Sequence, residues 1–333
     1  MRNYLIRRSL ELIPVLFAIA FVSFWLVSKM GNPFAVLLLN PHVHPEDLRR
    51  LEHIWHWDQP LVVRFWFWFK DFILFRHGWG LSVMSPGQTA LQLIGSRIPV
   101  TVAFSTTSMI VAILLSIPLG VYSAIHQYSI SDYILTFFAF FGMSMPTFWF
   151  GIMLMYVFAV RLHWFPAAGS HAAFITIKGM PVEFNKAPWY LRTLNEAWYL
   201  TLPTLVLIVF EVGGWLRYMR SSMLEVKSMD YVRTARAKGL PERVVIYKHA
   251  FRNAVIPIIT LIGLSFPGIV GGAMITETVF AIPGIGRLTY QAVMHQDVFV
   301  AMALIMIFAF LVVIGNFLAD IFYAIADPRI RYS

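Results

Sequence analysis

The sequence predicts an all-α, polytopic integral membrane protein with six transmembrane helices and a sizeable extracytoplasmic segment between the first and second. Three observations lead there. Mean hydropathy is +0.69 with 13% charged residues, against about 25% charge in an ordinary soluble domain. Six apolar stretches reach the roughly 20 residues that a helix needs to cross the hydrocarbon core. No series of alternating segments about ten residues long, the mark of a transmembrane barrel, occurs.

The first span covers residues 10–28. Arg2, Arg7 and Arg8 precede it as in a secretory signal, but the apolar run is longer than a signal's and "LVSKMGNPF" offers no small-residue cleavage site, so it reads as a retained helix. Residues 29–97 are too long for a simple loop. They contain "VVRFWFWFKDFILF", in which Phe65, Trp66, Phe67, Trp68, Phe69 and Phe72 leave no clean helical stripe. An interfacial helix is the plain reading; a lid or docking surface is the functional one. His42, His44, His53, His56 and His77 also lie there, without a carboxylate or Cys at a spacing that completes a metal site.

The remaining spans are expected at 99–125, 134–160, 197–217, 257–280 and 301–325. The chain thus divides into 1–28 (N-terminus and first span), 29–97 (outer segment) and 98–333 (spans two to six, with a basic loop at 218–256). With the N-terminus inside, the inner segments hold 14 of the 26 Lys and Arg residues in about half the length of the outer ones, so both termini and the basic loop are expected to be cytoplasmic. The net charge of +9 is a topology signal and no evidence for nucleic acid.

Acidic residues in or near spans are expensive and ask for a role. Glu211 lies six residues before Arg217, Glu277 follows "GGAMIT", whose Gly271 and Gly272 permit close helix approach, and Asp320 sits in the sixth span. Glu277 is expected near an outer gate, Asp320 against a cation or helix end. No catalytic assembly emerges: there is no Cys, no Walker-type phosphate loop, no Ser or Cys partner for His249, and "GIGR" at 284–287 is only a turn.

The basic loop carries seven cations between Lys227 and Arg252. Ser228 or Asp230 is placed to cap a short helix through Tyr231, Val232, Arg233, Thr234, Ala235, Arg236, Ala237 and Lys238, which Gly239 ends before Leu240. Pro241 then opens a second helix from Glu242 to about Ala254. The small Thr234, Ala235 and Ala237 beside charged edges describe a docking element. A solvated positive-inside loop is the alternative.

That loop resembles the cytoplasmic coupling motif of ABC importer permeases, in which Glu-Ala-Ala is followed after three residues by Gly. Here Arg233, Thr234, Ala235 and Gly239 stand at those places, and His249 to Arg252 replace the later Ile-x-Leu-Pro. "DYVRTARAKGL" followed by "HAFRNAVIP" looks like the version of the peptide-importing branch. "YLIRRSLELIPVL", "SIPLGVYSA", "SMPTFWFGIMLMYVFAVRLHWFPAAG", "RSSMLEV", "ITETVFAIPGIGRL" and "DPRIRY" extend the resemblance along nearly the whole chain. At "HGWGLS" the family commonly has an Asp beside the second Gly, where this chain departs.

The resemblance implies the first permease subunit of a dipeptide or oligopeptide importer of the type I fold. It implies a second homologous permease subunit, two cytoplasmic ATPases that bind ATP and Mg, and an extracytoplasmic solute-binding protein; this chain itself carries no cofactor. The wall of the translocation path is expected to include Ser144, Met145, Phe148, Met274, Ile275 and Glu277, where Gly, Pro or polar residues interrupt apolar helices; ordinary helix packing is the alternative. Nickel or another small solute is the alternative cargo. A secondary transporter or intramembrane enzyme is the alternative class, and it would need functional charges or nucleophiles mid-span.

The topology is open to test because the chain has no cysteine of its own. Lys238→Cys should resist a membrane-impermeant thiol reagent in intact cells and react once the membrane is opened; labelling in intact cells would overturn the orientation.

Overall fold

A computed structural model describes residues 2–29, 31–35, 44–177 and 179–326 of the 333-residue chain, with side chains between 11 and 319 within those ranges. His42, the "DPRIRY" motif and the side chains of Arg2, Arg7, Arg8 and Asp320 lie outside the described residues. The chain divides into two compact units, one of residues up to Pro99 with Gly284–Ile314, the other of Val100–Pro283 with Gly315 onward.

The first unit begins with α1 (Arg2–Ser28), followed by α2 (Pro45–Ile54) and α3 (Leu61–Ile73). The aromatic run proves to be α3, with Phe65 and Trp68 buried and Val62, Trp66, Phe67 and Ile73 exposed. Its buried side packs on α1, where Phe65 meets Phe17 and Phe24 edge-on at 5.5 and 5.6 Å. A second cluster joins Trp79, Ala90, Ile94, Ile285, Leu288 and Leu304. Here α13 (Ile285–Met294) precedes α14 (Val298–Ala326). The fully buried Asp297 ties them to the outer segment, accepting from the Ser82 hydroxyl at 2.6 Å and from the N–H groups of Val83 (2.8 Å), Met84 (3.1 Å) and Val300 (3.3 Å). A buried carboxylate is tolerated only when so satisfied.

α4 (Ala90–Ile125) starts eight residues before the expected end of the outer segment and runs into the second unit. That unit holds α5 (Ile130–Ser144), α6 (Thr147–Leu154, continued by a π-helical stretch to Arg161) and α7 (Trp189–Lys227). Then come α8 (Asp230–Ala237), α9 (Glu242–Val244), α10 (Phe251–Ala254), α11 (Ile256–Gly271) and α12 (Met274–Val279). Among the described residues five helical stretches are long and apolar enough to cross a membrane, six if the bent pair α5–α6 counts as one span.

Two expectations about span regularity are corrected. The span expected at 134–160 is bent by 100° between α5 and α6. Pro146 causes it, forcing Met145 into extended backbone (φ −78, ψ 127) and ending α5 there. The span expected at 257–280 stops at Gly271, and a separate short helix begins at Met274. The connector between α6 and α7 also folds a small antiparallel hairpin, β1 (Phe174–Ile177) with β2 (Met180–Glu183), that hydropathy does not foretell.

α5 and α7 approach unusually closely. A Cβ on Gly142 would lie 2.7 Å from the Val209 carbonyl oxygen, and one on Gly213 2.5 Å from that of Ala139, so neither position admits a side chain. At the α5 start the contact is sealed by charge. Asp132 receives Arg220 Nε on one carboxylate oxygen and Arg220 Nη2 on the other, each at 2.8 Å. The Ser123 hydroxyl of α4 donates to the first oxygen and the Tyr128 N–H to the second, at 3.0 Å. Ser129 caps the helix by accepting the Asp132 N–H.

Asp132 is almost fully shielded, so removing it strands a cation. Asp132→Ala should destabilise the assembled protein by about 3–5 kcal/mol, whereas Asp132→Leu combined with Arg220→Met should regain most of that loss. Thermal inactivation in lipid nanodiscs checks both.

Candidate functional site

The corner between α7 and α11 is built from the inside out. Met219 and Met223 of α7, Val232 and Ala235 of α8, and Val245, Ile246 and Ala250 beyond the turn form one buried cluster with Val121, Ala124, Ala254 and Ile258. Hydrogen bonds fasten its edges. Ser222 Oγ donates to the Ala254 carbonyl at 2.8 Å, and Lys227 Nζ donates to the Ala124 carbonyl at 2.7 Å. Lys227 therefore ties α7 to the end of α4 and is more than a loop cation.

α8 forms where expected, but Met229 occupies its N-cap and no side chain caps it. Ser228 turns back to the Glu225 carbonyl instead, and Asp230 is the first helical residue. Gly239 has φ +76, the left-handed value expected of it, and a Cβ there would meet nothing within 4 Å. Crowding is therefore no reason for glycine; backbone conformation is. Arg236 crosses the turn to Glu242, with Nη2 2.7 Å from the carboxylate, and those hydrogen bonds push the guanidinium pKa up. The second helix is irregular: α9 passes into a π-helical turn over Val245–Ala250 before α10.

The structure separates two faces of α8 that the sequence reading joined. Ala235, expected at the surface for docking, is only 5% exposed and packs into this chain's own core with Val232. Tyr231, Arg233, Thr234, Arg236, Ala237, Lys238, Gly239 and Leu240 are exposed. Tyr231 and Leu240 are large apolar groups left outside in a highly charged loop, and Met229 and Tyr247 join them.

The six residues expected to line a path fall at the two helix breaks. Ser144, Met145 and Phe148 flank Pro146 at the α5–α6 bend, with Ser144 and Phe148 exposed and Met145 half-buried. Met274 and Ile275 open α12 and are exposed; Glu277, one turn on, is completely buried, receiving the Thr101 hydroxyl at 3.1 Å. Glu277 thus faces α4 and not open space. Among the described residues no group of three or more His, Asp or Glu side chains comes together to hold a metal.

Two residues that organise this region escaped the sequence reading, Asp132 and Arg220. A signal was present: "SISD" places Ser129 three residues before Asp132 as a helix start. Nothing in the sequence pairs it with a cation 88 positions away.

Comparison with known proteins gives one answer along the chain. Residues 116–332 match the family model described as binding-protein-dependent transport system inner membrane component, and residues 1–105 match the model for the N-terminal part of such membrane components. The chain is 38% identical to the oligopeptide transport system permease protein AppB of Bacillus subtilis over 332 residues, covering 100% of both chains. It is 35% identical to the dipeptide transport system permease protein DppB of Alkalihalophilus pseudofirmus and 34% identical to the oligopeptide transport system permease protein OppB of Haemophilus influenzae, again with 100% of each chain covered. With a family match over most of its length and full-length similarity to these permeases, the chain belongs to the inner membrane components of binding-protein-dependent transport systems.

Proposed function

We propose that this chain is the permease subunit through which an ABC importer moves di- and oligopeptides across the cytoplasmic membrane of a prokaryote. The peptide cargo rests on the names of full-length relatives, which disfavour nickel as the alternative. The chain performs no catalysis of its own; ATP and Mg belong to partner ATPases. A homologous second permease subunit completes the path, and a solute-binding protein delivers cargo on the side of residues 29–97. Both termini and the loop 218–256 face the cytoplasm.

One observation carries the coupling role. α8 is held from behind by Val232 and Ala235 and presents Tyr231, Thr234, Lys238 and Leu240 outward, so a force applied to its outer face passes into α7 and α11 through a packed cluster. ATPase closure would move that rigid corner and favour one of two arrangements of the spans, a shift that requires the ATP-bound partners to bind the two states unequally.

The test separates the outer face from the inner one. Tyr231→Ala with Leu240→Glu should leave the permease pair assembled while removing the ATPases from the purified complex, a loss of about 2 kcal/mol or more if these are interface anchors. Ala235→Glu should instead unfold the corner itself, lowering the permease's thermal stability. Normal ATPase recovery and normal binding-protein-stimulated ATP hydrolysis in the Tyr231/Leu240 variant would defeat the coupling role. Gly239→Ala should be milder than Gly239→Val, because strain at positive φ is greatest for β-branched residues.

A further inference from the structure

Glu211 lies in the middle portion of α7, inside a membrane span, and its carboxylate does not engage a cation among the described residues. The Ser108 hydroxyl of α4 donates to the Ser105 carbonyl of its own helix at 2.9 Å, and Glu211 Oε2 is shielded from solvent and has no hydrogen-bond partner. Two grooves of the second unit meet at this residue. One, of about 260 Å³, runs past Met143, Trp215, Tyr218 and Leu261. The other, of about 390 Å³, runs past Ser105, Met109, Leu264 and Ala273. Met143, which lines the first, precedes Ser144 in the chain, and Ala273, which lines the second, precedes Met274, so each groove includes the chain neighbour of one of the two stretches proposed to line the path.

A carboxylate at that depth facing lipid would be strongly disfavoured; acids within spans face a polar cavity or a partner charge. The surroundings say which ligand suits it. Apart from Ser105 and Ser265 the grooves are apolar and aromatic, a lining that accepts varied side chains without reading them. A peptide offers one cation that does not depend on its sequence, its α-ammonium. Trp215 follows Glu211 by four residues on the same helical face, where its ring can add cation–π attraction; the Tyr218 ring already has the Arg217 guanidinium 5.7 Å from its centre.

We propose that Glu211 is the binding group for the α-ammonium of the peptide in transit, with the flanking grooves receiving its side chains. This deepens the peptide-permease reading and rests on it.

The test uses the complete transporter in proteoliposomes, with any cysteines of the other subunits replaced and a radiolabelled tripeptide as cargo. Glu211→Gln and Glu211→Cys should keep every subunit in the complex and lower uptake at least about tenfold, the factor set by a charged hydrogen bond worth about 1.4 kcal/mol. Glu211→Asp should retain more uptake than either. Modifying the Glu211→Cys protein with a sulfonatoethyl thiosulfonate restores a negative charge and should recover uptake; the trimethylammonium reagent of similar size should not.

Near-normal uptake by Glu211→Gln would overturn the proposal, as would equal effects of the two adducts or a thiol that neither reagent reaches. Loss of the second permease subunit from the Glu211→Gln complex would also overturn it, assigning the residue to the subunit interface. A wild-type transporter that carries no peptide would instead sink the peptide reading, a result seen before any variant is made.

Discussion

The Asp132–Arg220 ion pair fixes the part of the second unit on which the corner proposed for coupling depends. Arg220 grips both carboxylate oxygens at 2.8 Å, a bidentate geometry that a lysine could not reproduce. Ser123 and the Tyr128 N–H fill the remaining acceptor positions, so the end of α4, the start of α5 and α7 are held by one carboxylate. Seven residues further on, Lys227 of α7 returns to the Ala124 carbonyl, a second tie between the same two helices. Between these ties lies Met223, against which α8 packs. A helix of eight residues has to be positioned by something stiffer than itself, and this cluster with its polar rim supplies that for α8.

Polar groups inside a bilayer need a stated destination, because water is not there to receive them. The acids of this chain have met that requirement in different ways. Asp132 and Asp297 are saturated by donors and act as knots. Glu277 is buried against Thr101 and stiffens the short helix after the α11 break. Glu211 has no cation beside it among the described residues and lines both grooves, which is why it, and not Glu277, is the acid suited to a passing ligand.

The same accounting explains the helix breaks. Pro146 lacks an N–H and pushes Met145 out of helical backbone, so α5 ends and α6 leaves at a steep angle. Irregular backbone at membrane depth is tolerated where it borders protein or a polar cavity. Glycine-mediated contact between α5 and α7 places a closely packed seam beside this irregular backbone.

Hydropathy and the turn residues of the basic loop were enough to predict a helical membrane protein, the helix at 230–237 and the left-handed Gly239, because each depends on local composition or backbone preference. The motif order was enough to place the chain in its family. Side-chain direction was not legible: Ala235 is small for packing against Met219 and Met223, and only the fold reveals that its neighbours belong to this chain and not to a partner. The α3 aromatics read as an interfacial helix from sequence, and only the fold reveals that Phe65 and Trp68 are its buried pair. Glu277 and Glu211 look alike in sequence, each an acid near an apolar run. The tertiary structure separates them, since satisfaction of a buried charge depends on groups brought from 176 residues away in one case and on an open groove in the other.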